Sequence, residues 1–241
     1  MSAFKKATKE KLLLRICLCG VSGSGKTLTA LKVAEGLGRP IRVIDSERGS
    51  ARKYSDKVAF DVLELDGDQS PGAYMAAIEE AAADGWRGTL VIDSLSHAWM
   101  GKGGALEMVD RIASASRSGN SFTAWRDVTP LHNRLVDSLL AFPGHLIVTL
   151  RVKTEYLIED TGKGTKAPRK IGTQPVMRDG IEYEFDICGD LDLQHTLTVG
   201  KTRCSALSGA VFSKPGKDVA KILLTWAAAG VRHARPRPPP R

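Results

Sequence analysis

The stretch that most constrains this chain runs from Gly20 to Thr27 and reads GVSGSGKT. It fits the pattern G-x-x-x-x-G-K-[ST], whose glycine-rich backbone wraps closely around phosphate groups. The mostly apolar residues 12–19 before it predict a buried strand, and residues 28–37 after it have helical spacing. A chance Gly/Ser turn is the alternative, but the full-length match between a strand and a helix favours a phosphate-binding loop.

This loop predicts contacts with a nucleoside triphosphate, namely ATP with Mg²⁺. Backbone N–H groups and the start of the following helix form a nest for anions. Lys26 can reach the β- and γ-phosphates, and Thr27 can bind the metal that bridges them. The residues predicted to bind the nucleotide are Gly20, Val21, Ser22, Gly23, Ser24, Gly25, Lys26, Thr27 and Thr29.

A second informative strand covers residues 89–94, where an apolar run ends in Asp93. A buried parallel strand delivers such a carboxylate to its C-terminal end, where ligands of open α/β sheets bind. Most aspartates in this position are caps or turn formers. With a phosphate loop upstream, we expect Asp93 to hold Mg²⁺ together with Thr27.

Strands and helices alternate along the chain, which predicts an α/β fold with a mainly parallel sheet flanked by helices. Further strands are predicted at residues 41–45, 61–65, 145–150, 182–188 and 194–201. Further helices are predicted at residues 73–83, 105–115, 125–142 and 218–229, with Gly36 and Gly38 as stop signals for the first helix. The last two strands form an antiparallel C-terminal extension.

The 241-residue chain carries a net charge of +8, which favours an anionic partner, nucleic acid first. We divide it into a basic flexible arm (1–11), one ATPase domain (12–230) and an Arg/Pro-rich disordered tail (231–241). Residues 161–171 have four basic residues and no acid, and predict a mobile loop. In that loop Lys163, Lys166, Arg169 and Lys170 either bind DNA phosphates or are simply solvated.

The four cysteines form no C-x-x-C pair, so we interpret them as reduced thiols and expect no zinc site. No uninterrupted apolar run approaches the length of a membrane span, so no membrane partner is expected. We therefore expect a cytoplasmic protein.

These motifs, in this order, resemble the RecA-like ATPases, and most closely the small phage-encoded RecA-like nucleotide-binding proteins associated with single-strand annealing. The similarity runs from about residue 13 to about residue 230. Besides the phosphate loop and residues 91–94, it rests on three segments. Residues 43–47 are similar to the strand that carries the family's catalytic glutamate. Residues 145–151 precede a basic loop that stands in the place of the family's DNA-binding loop. Residues 200–203 are similar to the Lys-x-Arg pair that ring ATPases and recombinases insert into a neighbour's site.

The resemblance implies a RecA-like P-loop core that binds single-stranded DNA, acts in recombination or annealing in a bacterial host cell, and assembles into a ring or filament. A single-stranded DNA-binding protein is a further possible partner. Glu47 would polarise the attacking water, unless it is an exposed carboxylate paired with Arg48 or Arg52. Lys201 and Arg203 would enter a neighbour's site from one strand, unless they are solvated edge charges.

Two features depart from the family's pattern. Recombinases carry a glutamine that senses the γ-phosphate where this chain has Thr149, Leu150 or Arg151. The chain is also too short for RecA's additional C-terminal domain, which argues against full strand exchange. Residues 4–7, Phe-Lys-Lys-Ala, resemble a plug by which some recombinases dock onto a neighbour, or belong to an ordinary arm.

Three other classes stay open from the sequence. One is a helicase or packaging motor, although no translocation domain is visible. Another is a nucleotide-switch scaffold with little hydrolysis. The third is a small-molecule kinase, for which we identify neither an acceptor pocket nor a lid.

Overall fold

A computed structural model describes Phe4 and residues 12–116, 119–160 and 166–228, with backbone alone for 155–160 and 166–171. Several predictions from the sequence lie outside these residues. They are the basic arm and the plug apart from Phe4, Lys163, and the Arg/Pro-rich tail.

Nine strands and six α-helices make up the described part of the chain. The strands are β1 Arg15–Gly20, β2 Ile41–Asp45, β3 Asp61–Glu64, β4 Thr89–Asp93, β5 His145–Asp160, β6 Lys166–Pro175, β7 Ile187–Leu191, β8 Thr196–Thr202 and β9 Val211–Ser213. The helices are α1 Lys26–Leu37, α2 Pro71–Ala81, α3 His97–Met100, α4 Ala105–Ala115, α5 Ser121–Ala141 and α6 Lys217–Ala228.

The strands form one sheet in the order β3-β2-β4-β5-β1-β7-β8-β9, with β6 paired to β5 beside this path. All pairs from β3 to β7 are parallel. The pairs β7–β8, β8–β9 and β5–β6 are antiparallel. This confirms the predicted α/β class, the mainly parallel sheet and the antiparallel C-terminal extension.

Helices cover both faces of the parallel strands, which explains why those strands read as apolar runs. One core cluster lies between the sheet and helices α1 and α6, and another lies between the sheet and helices α2 and α5. Gly36 lies inside α1, so it does not end the helix as predicted. A Cβ there would lie 2.6 Å from the Cβ of Ala220, and the missing side chain therefore lets α1 and α6 pack closely.

The prediction of a loop over residues 161–171 is wrong from Lys166 onward. Strand β5 continues past its expected end at Leu150 to Asp160, and β6 returns along it from Lys166 in an antiparallel ladder. Backbone hydrogen bonds form such a ladder whatever the side chains are. A ribbon of this kind needs no apolar period, so the sequence pattern did not reveal it.

Two predictions at the C-terminal end also need correction. Residues 182–188 are not one strand, because Ile181–Glu184 form a 3₁₀ turn and β7 begins only at Ile187. The turn buries Ile181, and Phe185, which is also buried, follows it in extended backbone. Strand β8 ends at Thr202, so Arg203 lies beyond it and does not alternate with Lys201 on one strand.

Candidate active site

A cavity of about 790 Å³ opens where the phosphate loop, the ends of β2 and β4 and residues 151–152 of β5 meet. Such a position, at the carboxyl ends of parallel strands, is where open α/β sheets bind ligands. From the predicted nucleotide contacts, the cavity is lined by Gly20, Ser22, Gly23, Gly25, Lys26, Thr27 and Thr29. Its lining also includes Glu47, which follows β2, Asp93, the last residue of β4, and Arg151, which lies within β5.

The glycines of the loop are required by its geometry at two positions. A Cβ on Gly20 would lie 2.5 Å from Ser24 Oγ and 2.7 Å from the carbonyl oxygen of Leu191. Gly25 has a φ of 86°, in the left-handed region, and caps helix α1, which begins at Lys26. The loop therefore turns tightly and directs the start of α1 at the cavity.

Lys26 is held at the mouth of its own loop. Its Nζ donates to the carbonyl oxygen of Val21 at 2.9 Å. Burial lowers the pKa of Lys26, and the negative charges of Asp93 and Glu47 act in the opposite direction. An anion in the loop would offer this partly desolvated ammonium a stronger partner than a carbonyl oxygen.

Asp93 accepts hydrogen bonds from two threonine hydroxyls. Thr27 Oγ1 donates to Asp93 Oδ2 at 2.6 Å, and Thr149 Oγ1 donates to Asp93 Oδ1 at 2.5 Å. Burial raises the pKa of Asp93, and the two hydrogen bonds partly oppose that effect. A hydroxyl and a carboxylate oxygen beside a phosphate site are the donor set that Mg²⁺ uses. The described residues therefore fit this metal.

Glu47 forms a bidentate ion pair with Arg151. Arg151 Nε donates to Glu47 Oε1 at 2.9 Å, and Arg151 Nη2 donates to Oε2 at 2.6 Å. Burial acts to raise the pKa of Glu47, but the hydrogen bonds and charge of Arg151 outweigh it and lower the pKa. The alternative pairing with Arg52 is not observed, because Arg52 binds Glu64 at 2.7 Å.

Asp45, two residues before Glu47, has a structural role. Its carboxylate accepts hydrogen bonds from the backbone N–H groups of Glu47 and Ala51, at 2.6 and 2.8 Å. The next residue, Ser46, donates through its hydroxyl to the carbonyl oxygen of Ser94 and lies 2.8 Å from His97 Nδ1. This network ties the end of β2 to the end of β4 and fixes where Glu47 emerges.

The lining of the cavity also includes residues that sequence reasoning missed. Tyr54 lies between β2 and β3. His195 immediately precedes β8, and Lys214 and Pro215 immediately follow β9. His195 Nδ1 donates to the carbonyl oxygen of Ser24 at 3.0 Å, so the C-terminal extension holds the phosphate loop directly. No motif marks these residues, because their position depends on pairing between distant segments.

Lys201 and Arg203 lie elsewhere. Neither is among the described residues that line this cavity. Lys201 Nζ donates to the carbonyl oxygen of Phe185, while Arg203 Nη1 donates to Asp186 Oδ1 at 2.9 Å. Any action on ATP would therefore have to take place at another subunit's site.

A glycine-rich loop between β1 and α1, facing an aspartate at the end of β4, defines the class of P-loop nucleotide-binding domains. Comparison with protein families then gives the particular family. Residues 13–220 match the AAA domain, and the chain belongs to this family of P-loop ATPase domains. No curated protein matches the chain. Within the described residues, no helix is both long and apolar enough to cross a membrane.

Proposed function

We propose that this protein binds and hydrolyses ATP in a Mg²⁺-dependent reaction. The observation that carries this proposal is the convergence in one cavity of Lys26, the Thr27–Asp93 pair and Glu47. Phosphoryl transfer to water needs a phosphate-binding loop, a metal site and a group that orients water. The family match to an ATPase domain supports the same reaction.

The roles follow from the positions of the groups. Lys26 and the loop N–H groups hold the β- and γ-phosphates, while Thr27 and Asp93 hold the metal, which supplies charge neutralisation when it is bound. Glu47 accepts the proton of the attacking water or orients it. Its lowered pKa keeps the carboxylate ionised, and so able to accept, at neutral pH.

Tyr54 and Pro215, which line the cavity, favour a nucleoside as part of the ligand. A phenol ring and a proline ring offer flat apolar surfaces against which a purine base can pack. Lys32 and Lys214 line the same cavity and add positive charge beside the phosphates or ribose. These residues support ATP, rather than free phosphate or pyrophosphate, as the ligand.

We further propose that the protein binds single-stranded DNA and acts in phage-type recombination or single-strand annealing as a homo-oligomer. The net charge of +8 and the basic residues of strand β6 support this proposal. Strand β5 continues from Arg151, which lines the cavity, into the β5–β6 hairpin, with a register shift between Glu155 and Tyr156. DNA on the hairpin would therefore be coupled to the ATP site through one strand.

A nucleotide-switch scaffold is the second candidate, because Arg151 already occupies both carboxylate oxygens of Glu47. Steady-state ATP turnover titrated with single-stranded DNA separates the candidates, with electron microscopy of the same mixtures. A DNA-activated ATPase shows turnover that rises and saturates with DNA, and a scaffold shows negligible turnover throughout. Unwinding of a forked duplex would favour a motor. DNA-independent turnover would leave the ATPase proposal standing and remove the proposed coupling between DNA and the ATP site.

A further inference from the structure

A second cavity, of about 310 Å³, opens beside β7 and β8 and has two cysteines in its lining, Cys19 and Cys188. The ATP site does not use this cavity. Its lining also includes residues 173–175, residues 177–182 and Lys201. A small reagent that enters this cavity would meet two otherwise buried cysteines of the central strands.

Cys19 and Cys188 belong to a cluster of three thiols. Cys17 and Cys19 lie on the same face of β1, with their sulfur atoms 3.7 Å apart. Cys17 is also directly opposite Cys188 in the parallel register of β1 and β7. Adjacent strands are about 4.8 Å apart, a spacing within the range of Cα separations that a disulfide bridges.

The surroundings distinguish Cys188 from Cys17. A hydrogen bond with Cys17 lowers the pKa of Cys188 against the opposing effect of burial, and the positive charge of Lys201 also lowers it. Cys188 Sγ itself donates to the carbonyl oxygen of Glu182 at 3.4 Å. The pKa of Cys17 is raised, first by its hydrogen bond with Cys188. Of this pair, Cys188 is the one that lines the second cavity, and Cys17 lies directly beside it on β1.

We propose that Cys188 and Cys17 form an oxidisable dithiol that reacts with a small hydroperoxide entering the second cavity. The Cys188 thiolate attacks the peroxide oxygen, so an S–O bond forms, the O–O bond breaks and the alcohol or water leaves with a proton. Sulfur is oxidised and the peroxide is reduced by two electrons. Cys17 then attacks Cys188 sulfur, which forms the S–S bond and releases water. An external dithiol reduces this disulfide back to two thiols and is itself oxidised.

This site lies close to the phosphate loop along the chain. Cys19 immediately precedes Gly20, whose α-carbon packs against the carbonyl oxygen of Leu191 at the end of β7. A bond between β1 and β7 joins the two strands on which that close contact depends. Oxidation should therefore lower the affinity for nucleotide, whether or not the protein hydrolyses ATP.

The test begins with the folded wild-type protein and needs no variant. Iodoacetamide labelling at neutral pH, followed by peptide mass spectrometry, should modify Cys188 about tenfold or more faster than Cys204, which is also buried but lies outside the second cavity and the cluster. On a separate, unlabelled sample, hydrogen peroxide should yield a Cys17–Cys188 disulfide that dithiothreitol reduces. Equal labelling of Cys188 and Cys204 would overturn the proposal, as would stable sulfinic acid at Cys188 or a disulfide that uses Cys19.

Two variants complete the test. Cys188→Ser should abolish the disulfide, whereas the matched Cys204→Ser protein should form it as the wild type does. Fluorescent ADP affinity is measured on reduced, oxidised and re-reduced wild-type protein, and it should fall on oxidation and recover on reduction. Unchanged affinity would refute the link to the phosphate loop. Because binding is measured without hydrolysis, the result does not depend on the proposed ATPase activity.

Discussion

At the scale of single residues, three neighbours inside β5 take separate tasks. Leu150 is fully buried in the core, Thr149 donates to Asp93, and Arg151 pairs with Glu47. The sequence left open which of these replaces the family's γ-phosphate-sensing glutamine. Arg151 alone among the three lines the cavity, so it is the one positioned to meet a phosphate.

Replacing Arg151 should change how the reaction depends on pH. Arg151 holds the pKa of Glu47 below its usual range, so Arg151→Gln should raise that pKa. The acid limb of kcat/KM reports groups of the free enzyme, and it should therefore move to higher pH. Arg52→Gln removes a comparable ion pair outside the cavity and should leave the limb in place. A limb that stays unchanged in Arg151→Gln would show that Glu47 is not the base.

Thr149→Val tests the support of Asp93. Valine keeps the shape of the buried threonine but removes the hydroxyl that donates to Asp93, leaving a buried carboxylate with one donor fewer. Loss of such a bond typically costs about 1–3 kcal/mol. Urea denaturation without nucleotide measures this cost. The control is Thr198→Val, the same change at an exposed strand position. Equal stability of the two variants would contradict the role of Thr149.

At the scale of elements, the sequence predicted best what burial determines. Strands β2 and β4 and helix α4 were found at or near their observed bounds, because strands covered on both faces read as apolar runs. The β5–β6 ribbon and the partners of the phosphate loop were not found. Their formation depends on the register between distant segments, as with His195 and Ser24, and local patterns carry no signal for that register.

If the β5–β6 hairpin binds DNA, its positive charges should determine how steeply the DNA affinity falls with salt concentration. Each phosphate neutralised on a single strand contributes about −0.7 to the slope of log K against log salt. Alanine at four positions should therefore flatten the slope by up to about 2.8 and weaken binding to all sequences alike. These positions are Lys163, Lys166, Arg169 and Lys170.

A control for that experiment removes four positive charges from helices α4, α5 and α6. The control positions are Arg111, Arg126, Arg134 and Lys221, all on exposed helix surfaces. This variant has the same net charge as the hairpin variant, so a general charge effect would flatten both slopes equally. Binding measured by fluorescence anisotropy across a salt series distinguishes the two cases. Equal slopes would place the DNA site away from the hairpin.

At the scale of the whole molecule, the positions of Lys201 and Arg203 predict cooperation between subunits. Both bind their own chain near Phe185 and Asp186, outside its ATP cavity, so we propose that they act on a neighbour's γ-phosphate. Arg203→Ala should bind ATP but hydrolyse it poorly. Mixed with Lys26→Ala, it should regain activity, because some interfaces join an intact loop to an intact arginine.

Turnover against mixing ratio measures this cooperation, with subunit exchange confirmed by a labelled mixture. Specific activity of the wild type should also rise with protein concentration. If every mixture gives only the sum of the two residual rates, Arg203 does not act across an interface.

The central claim is that this cavity binds Mg·ATP through the phosphate loop and hydrolyses it through Glu47. The most direct measurement is turnover by Glu47→Gln, with ATP affinity determined on the same preparation. Lys26→Ala serves as the binding-defective reference, and Glu64→Gln as the control for losing a carboxylate outside the cavity. We expect Glu47→Gln to bind ATP with wild-type affinity and to hydrolyse it about 10²-fold or more slowly. Wild-type turnover in Glu47→Gln would contradict the central claim.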